Sequence, residues 1–361
     1  MMKNSYLTKR ERVLNALHKK EVDRVPWSPL IGPYYMSSLP LQNIHMEKIE
    51  AMRYIGNDII ERHVAMPNAI FNNVNIRREK AADQITERVW YETPVGSVYV
   101  DRKPNGHTSF ITHHMLETLE DIKVYQYIVE HMTFSDNIKD FIERERYIGD
   151  DGIATTSGPM SPIQTLLQFV AGIENTVYLM MDYPDEMDEL LAVMHEANKK
   201  VYKILADYPT DAIFDYEDTS TTVMSKNMYV NYSAPTIDDY AKILHDNGKL
   251  FITHMCGKLN GFKEEIGKGI QDGVDSICPP ETGDLYIWEA RKAWGENKVV
   301  IGGIDPPAFS RMTVEESVNT AREIIEKMKG QKGFILSSGD AVSFGTPIEN
   351  MIAITKLIEN M

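Results

Sequence analysis

His254 and Cys256 stand two residues apart in His254-Met255-Cys256-Gly257, directly after the apolar run Leu250-Phe251-Ile252-Thr253. In an extended chain residues i and i+2 share a side, so an imidazole and a thiolate spaced this way converge on one ion where the strand ends in a cavity. Nitrogen and sulfur ligands together suit tetrahedral zinc. Cys278 ends the next apolar run, Val274 to Ile277, with a helical stretch from Gly261 to Ile270 between the two. A strand, helix, strand order returns both strand ends to one edge, which makes Cys278 a candidate third ligand. A small buried hydrophobe at that position is the competing reading.

Such ligands need strands to carry them, and the chain supplies a regular series. Short apolar runs at 152–156, 211–215, 249–253, 274–278, 298–302 and 333–337 are each followed by helical stretches, among them 185–206, 235–246, 260–270, 284–293, 314–328 and 347–360. Alternation of this kind predicts parallel strands with crossover helices. Val25-Pro26-Trp27 and the run near Ile59 bring the count to about eight, the number that closes a barrel. The fold expected is therefore α/β, a single (β/α)8 TIM barrel over residues 1–361. N-terminal additions are expected too, and an extra β-hairpin from Thr86 to Tyr91 and Gly96 to Asp101 makes residues 80–150 partly an insertion. An open doubly wound sheet is the alternative, though no glycine-rich phosphate fingerprint follows the first strand.

In a parallel barrel the chemistry gathers at the C-terminal strand ends. That rule puts Thr155 to Pro159, Asp215 to Asp218, His254 to Gly257, Cys278 to Thr282, Gly303 to Pro306 and Ser337 to Asp340 on one rim. Glu217 and Asp340 are the candidate catalytic carboxylates, with Asp215 and Asp218 the weaker ones, since acidic loop residues are commonly just solvated. Tyr34, Tyr35, Met36 and Tyr216 lie near loops expected at the mouth and are candidate walls for a small apolar or aromatic substrate. A core role competes with that reading. His63, after the run near Ile59, is read as a structural histidine.

Composition narrows the class. A 361-residue chain with 43% hydrophobic residues can bury a sizeable core. A formal charge of −15 with scattered Lys and Arg argues against nucleic-acid and anionic-membrane surfaces. No run approaches the ~20 apolar residues of a membrane span, and Met1 to Tyr6 lacks the apolar core of a signal peptide. A cytoplasmic location is expected, where two thiols stay reduced and free to bind metal.

Several motifs together resemble the uroporphyrinogen decarboxylase superfamily across nearly the whole chain. They are Lys9-Arg10-Glu11-Arg12-Val13-Leu14, Asp23-Arg24-Val25-Pro26, His254-x-Cys256-Gly257, Gly302-Gly303-Ile304-Asp305 and Thr346-Pro347-x-Glu349-Asn350. The decarboxylase proper carries an Arg-Gln-Ala-Gly-Arg segment after its first strand to grip substrate carboxylates. Here Ser28 to Tyr35 has no arginine, so a tetra-anionic porphyrinogen would lack its clamp.

The His-x-Cys-Gly motif is similar to the zinc methyltransferase branch, which includes corrinoid:coenzyme M methyltransferases and the methyltransferase components of O-demethylases. That resemblance implies Zn²⁺ bound by His254 and Cys256, and transfer of a methyl group between a small methylated substrate, such as a methyl ether, and the Co(I) corrinoid of a partner protein. It implies no resident corrinoid, because no Asp-x-His-x-x-Gly segment is present. A homodimer is compatible with it. The late-strand Cys of the branch is replaced here by Asp340, so Cys278, Glu217 and Asp340 are the alternatives for completing the metal shell. A decarboxylase or lyase with Cys256 structural, and a non-catalytic zinc-binding barrel, are the competing functions.

Overall fold

The structure is a computed structural model that describes residues 6–106 and 108–361. Residues 1–5, on which the reading of the N-terminus partly rests, lie outside the described residues. The chain opens with a helix, Lys9–Leu17, capped by Thr8 and Glu11 in a reciprocal capping box. Val25-Pro26-Trp27 does not form a strand. Trp27 makes one isolated parallel bridge to Leu336, because Pro26 has no N–H to extend a ladder. Ser28 donates to Leu336 O at 2.9 Å, and Leu336 donates to Pro26 O at 2.9 Å. A helix over Lys48–Ile55 leads to β1, Ile59–Glu61.

The expected hairpin is present and larger than its sequence signal. After β2 (Asn68–Phe71) come β3 (Asn75–Lys80), β4 (Glu87–Thr93), β5 (Gly96–Asn105) and β6 (Thr108–His113). These last four form an antiparallel sheet apart from the parallel strands, while β2 pairs antiparallel with β7, Met132–Ser135. Helices Leu119–Glu130, Ile138–Ile148 and Gly172–Asp182, which the periodic pattern did not single out, flank this region.

The remaining strands are β8 (Gly152–Ala154), β9 (Thr156–Gly158), β10 (Ala212–Tyr216), β11 (Leu250–His254), β12 (Gly273–Ile277), β13 (Val299–Ile304) and β14 (Phe334–Ser338). β9 to β14 form a parallel six-stranded sheet in chain order, and β8 pairs parallel with β1. Long helices such as Pro184–Ala206, Ala234–His245 and Val314–Lys327 supply the crossovers.

Strands β12, β13 and β14 are buried at every position. That is the signature of a parallel sheet covered on both faces. The period of two divides each strand's side chains between two apolar clusters. Ile213, Phe251, Val274, Val300 and Leu336 pack in the large cluster with the helices. Ala212, Phe214, Ile252, Ile301 and Ile335 instead meet Ile60, Ile153 and the helix residues Val13, Ala16 and Leu17. Below that second cluster Asp58 accepts from Arg12 Nη1 (2.6 Å), Arg24 Nη1 (2.9 Å) and the Trp27 N–H (3.0 Å). The Arg12 and Asp23-Arg24 motifs are thus a buried ion network at the N-terminal end of the strands. Among the described residues no helix is long and apolar enough to cross a membrane.

Candidate metal centre

His254 closes β11 and is 2% exposed. Its Nδ1 lies 2.8 Å from Asp275 Oδ2 and 3.0 Å from Ser276 Oγ, both contributed by β12. Its Nε2 is buried without a hydrogen-bond partner. Two residues on, Cys256 Sγ lies 3.2 Å from Asp218 Oδ1. Asp218 reaches this place because the N–H groups of Glu217 (2.8 Å) and Asp218 (3.2 Å) both donate to His254 O, tying the end of β10 to the end of β11. Ligand atoms of Asp218, His254 and Cys256 all lie within 4.8 Å of one another.

Gly257 makes the turn after Cys256 with φ +125°, and a Cβ there would meet Ser220 Cβ at 2.7 Å. The glycine of the motif is therefore a steric requirement of the close approach between the two loops.

Burial pushes the Cys256 thiol up, and the carboxylates of Asp218 and Asp340 push it further. Without a cation this thiol keeps its proton. A bound divalent ion reverses that balance, because its charge stabilises thiolate and carboxylate together. The donor set of one imidazole nitrogen, one thiol sulfur and carboxylate oxygen suits Zn²⁺, with an Nε2 that no hydrogen bond engages.

The other expected residues are distributed unevenly. Asp340 joins the group, with Oδ1 3.7 Å from His254 Nε2 and a side chain 37% exposed. Glu217 does not face the same space. Its fully buried carboxyl accepts from the Ser161 N–H (3.0 Å) and Ser161 Oγ–H (3.0 Å), and burial followed by the neighbouring Asp215 pushes it well above its usual range.

Cys278 stands outside the cluster of three, with Sγ 3.5 Å from Asp305 Oδ2. That carboxylate is itself fixed, since Thr282 N–H (3.0 Å) and Ala308 N–H (2.8 Å) donate to it.

Tyr216 lies in the site, its ring 4.5 Å from the His254 ring on one side and 4.5 Å from the His63 ring on the other. Burial raises its hydroxyl to about 12. Tyr34 packs on Phe344 at 5.1 Å, in the loop that follows Asp340. Tyr35 is fully buried in the apolar core rather than at the mouth, because the short helix Pro33–Met36 turns it inward as it turns Tyr34 out. A cleft of about 560 Å³ lined by Lys20, Arg24, Lys332, Phe334 and Met361 belongs to the opposite end of the strands and contains none of these residues.

Sequence reasoning missed Asp275 and Arg62 altogether and ranked Asp218 low. Asp275 was available as a signal, being a carboxylate in the middle of a run that reads as a buried strand.

A family model described as uroporphyrinogen decarboxylase (URO-D) matches residues 98–361. Among curated proteins none matches the chain in sequence. A methyltransferase from Methanosarcina mazei shares the fold with TM-score 0.63 at 14% identity, over 98% of this chain and 99% of that one. D-psicose 3-epimerase from Clostridium cellulolyticum H10 aligns over 62% of this chain and 76% of its own at 15% identity, with TM-score 0.33, too distant to bear on fold or function.

Proposed function

The chain belongs to the uroporphyrinogen decarboxylase family, and from that premise we propose that it is a zinc-dependent methyltransferase. It moves a methyl group from a small methylated substrate, a methyl ether being the best fit, to the Co(I) corrinoid of a partner protein. The observation that carries this reading is the partnerless Nε2 of His254 beside the Cys256 thiol and the Asp218 carboxylate. The M. mazei methyltransferase, alike in fold over its whole length, supports the same class.

We read the architecture as a closed eight-position barrel. Support comes from the Trp27 bridge to β14 and from the Asp58 N–H donating to Trp27 O at 2.8 Å, which hands the seam on to β1. Thr155, between β8 and β9, donates to Glu61 O at 2.7 Å, so β8 and β9 act as one strand position. In this reading residues 1–361 are one barrel unit, and 80–150 are partly an insertion.

His254, Cys256 and Asp218 would hold the zinc, with Asp340 beside them. Zinc supplies Lewis acidity, stabilising negative charge on the heteroatom that the methyl group leaves. The remaining work falls to the chain's own residues. Tyr216, held between the His254 and His63 rings, walls the site beside the metal ligands. Asp340, the most exposed carboxyl of the group, delivers or removes the proton on the leaving heteroatom. Glu217, its carboxyl pushed up by burial, keeps the turn bearing Asp218 in place through Ser161, whereas Cys278 serves packing against Asp305.

Decarboxylation of a poly-anionic substrate is disfavoured, because residues 28–35 carry no arginine and Arg62 is committed to Asp275. The test is anaerobic incubation with a reduced corrinoid protein and a panel of methoxylated aromatics, methylamines and methylthiols. Loss of the Co(I) absorption band with one substrate class is the expected result. No change with any of them, using zinc-loaded protein, rejects the reading.

A further inference from the structure

Successive residues of a regular strand point to opposite faces, so neighbours cannot both reach one atom. In β12 they do. Asp275 Oδ2 (2.8 Å) and Ser276 Oγ (3.0 Å) both contact His254 Nδ1. An irregularity in the ladder makes this possible. The β12–β13 register shifts between Val274 and Ile277, and Ser276 takes φ +67°, a left-handed conformation that a non-glycine residue adopts only under constraint from its surroundings. Backbone strain of this kind inside a buried strand persists only where the surrounding structure imposes it. Here its result is an imidazole gripped on one nitrogen only.

The grip extends across the molecule. Arg62 follows β1, which pairs with β8 in a two-stranded sheet, whereas β12 lies in the six-stranded sheet. Its side chain, 3% exposed, nevertheless forks onto both oxygens of fully buried Asp275, with Nη2 3.0 Å from Oδ1 and Nη1 on Oδ2. The guanidinium lies over the Phe214 ring at 5.2 Å, and its Nε remains buried without a partner. Arg62 thus leaves a donor of its own unsatisfied while committing its fork to one carboxylate. Burial alone would raise the Asp275 carboxyl, but Arg62 and His254 outweigh it and hold the group below its usual range.

We propose that Arg62, Asp275 and the Ser276 bulge are a positioning relay for the metal centre. Asp275, kept as an oriented carboxylate by Arg62, accepts the hydrogen of His254 Nδ1 and so leaves the lone pair on Nε2, facing Cys256 and Asp218. The relay sets metal affinity through residues that never touch the metal. An imidazole free to exchange tautomers or rotate would present Nε2–H for part of the time and would have to be reoriented on every binding event. The inference rests on the metal-centre reading, but the tautomer of His254 can be measured without any metal.

The experiment uses the full chain with Asp275→Asn, Arg62→Met, Arg62→Lys and the double variant Arg62→Met/Asp275→Asn. Zinc affinity is read by competition with a chromophoric chelator. The His254 ring nitrogens are read by NMR of metal-free, ¹⁵N-histidine-labelled protein. Asp275→Asn and Arg62→Met should weaken zinc by about 10- to 100-fold, as loss of such a partner does elsewhere. Arg62→Lys should recover most of that, and the His254 signals should move from one fixed tautomer toward a mixture in the weakened variants. If Arg62→Met does not fold because it strands the Asp275 charge, the charge-neutral double variant carries the same prediction. Folded variants with wild-type zinc affinity and an unchanged His254 tautomer would overturn the relay. If wild-type protein takes up no zinc, the metal reading falls, and the tautomer comparison alone decides the relay.

Discussion

At the residue scale the chemistry turns on one proton. The Cys256 thiol is held protonated by burial and by Asp218 and Asp340, yet a zinc ligand must be a thiolate. Zinc binding should therefore release a proton and strengthen as pH rises from 6 to 8, measured by chelator competition at each pH, and an affinity independent of pH would remove Cys256 from the shell. Wild-type protein should carry about one zinc per chain and Cys256→Ala should lose most of it, by elemental analysis. His254 and Cys256 were legible in the sequence because their geometry is local, two side chains on one side of one strand end. Asp218 was not, because its position depends on the backbone of β10 bonding to His254 O. Cys278 reads ambiguously for the complementary reason, since a strand-end thiol looks the same in sequence whether it lines a metal site or, as in this structure, lies against Asp305.

A second residue-scale prediction concerns His63. Burial, with Arg62 and His254 adding to it, lowers its imidazole to about 3. The folded state thus binds fewer protons than the unfolded chain below the ordinary histidine value near 6.5. Stability contributed by the neutral ring is complete above that value and is lost as pH falls from about 6.5 toward 3. His63 has φ +61°, which asparagine tolerates, so His63→Asn should fold and show a shallower loss of Tm between pH 7 and pH 5. An acid limb as steep as wild type would place the sensitivity elsewhere.

At the element scale, strands β10 to β14 follow the expected runs to within two residues and their crossover helices to within three, because buried parallel strands are nearly continuous apolar segments. Two local exceptions had physical causes. Pro26 kept Val25–Trp27 from making a strand, and the β12 bulge needs a left-handed Ser276 that its residue type does not announce. Helix Leu119–Glu130 packs on the antiparallel sheet, whereas Ile138–Ile148 lies against β1 and β8, its Arg144 on Glu61 and its Glu145 accepting from the Ala154 N–H. Neither belongs to the strand and helix rhythm of the sequence. Gly257 gives the prediction at this scale. Gly257→Ala places a Cβ 2.7 Å from Ser220 Cβ at φ +125°, so the Cys256 turn must move. A loss of roughly 1–3 kcal/mol in denaturant unfolding is expected together with weaker zinc binding. Unaltered zinc affinity would show that the turn does not set the position of the thiol.

At the scale of the whole molecule, the proposed barrel would assemble the centre from chain segments that meet only when the first and last strand positions join. Asp218, His254 and Cys256 come from the adjacent ends of β10 and β11, whereas Asp340 follows β14, whose partner across the seam is Trp27. Trp27 is anchored in turn by its N–H to Asp58, the carboxylate that also binds Arg12 and Arg24. Asp58→Asn keeps the size of the side chain and removes the charge, leaving two arginines at a buried site with half their partner. Breaking a buried pair in this way costs about 3–5 kcal/mol, so a clear drop in Tm is expected. The consequence at the site is selective. Zinc content should stay near wild type, because the three clustered ligands do not depend on the seam. Methyl transfer should fall, because Asp340 reaches His254 only from β14. Parallel loss of zinc and activity would mean that the seam supports the whole rim, and loss of neither would detach the buried ion network from function.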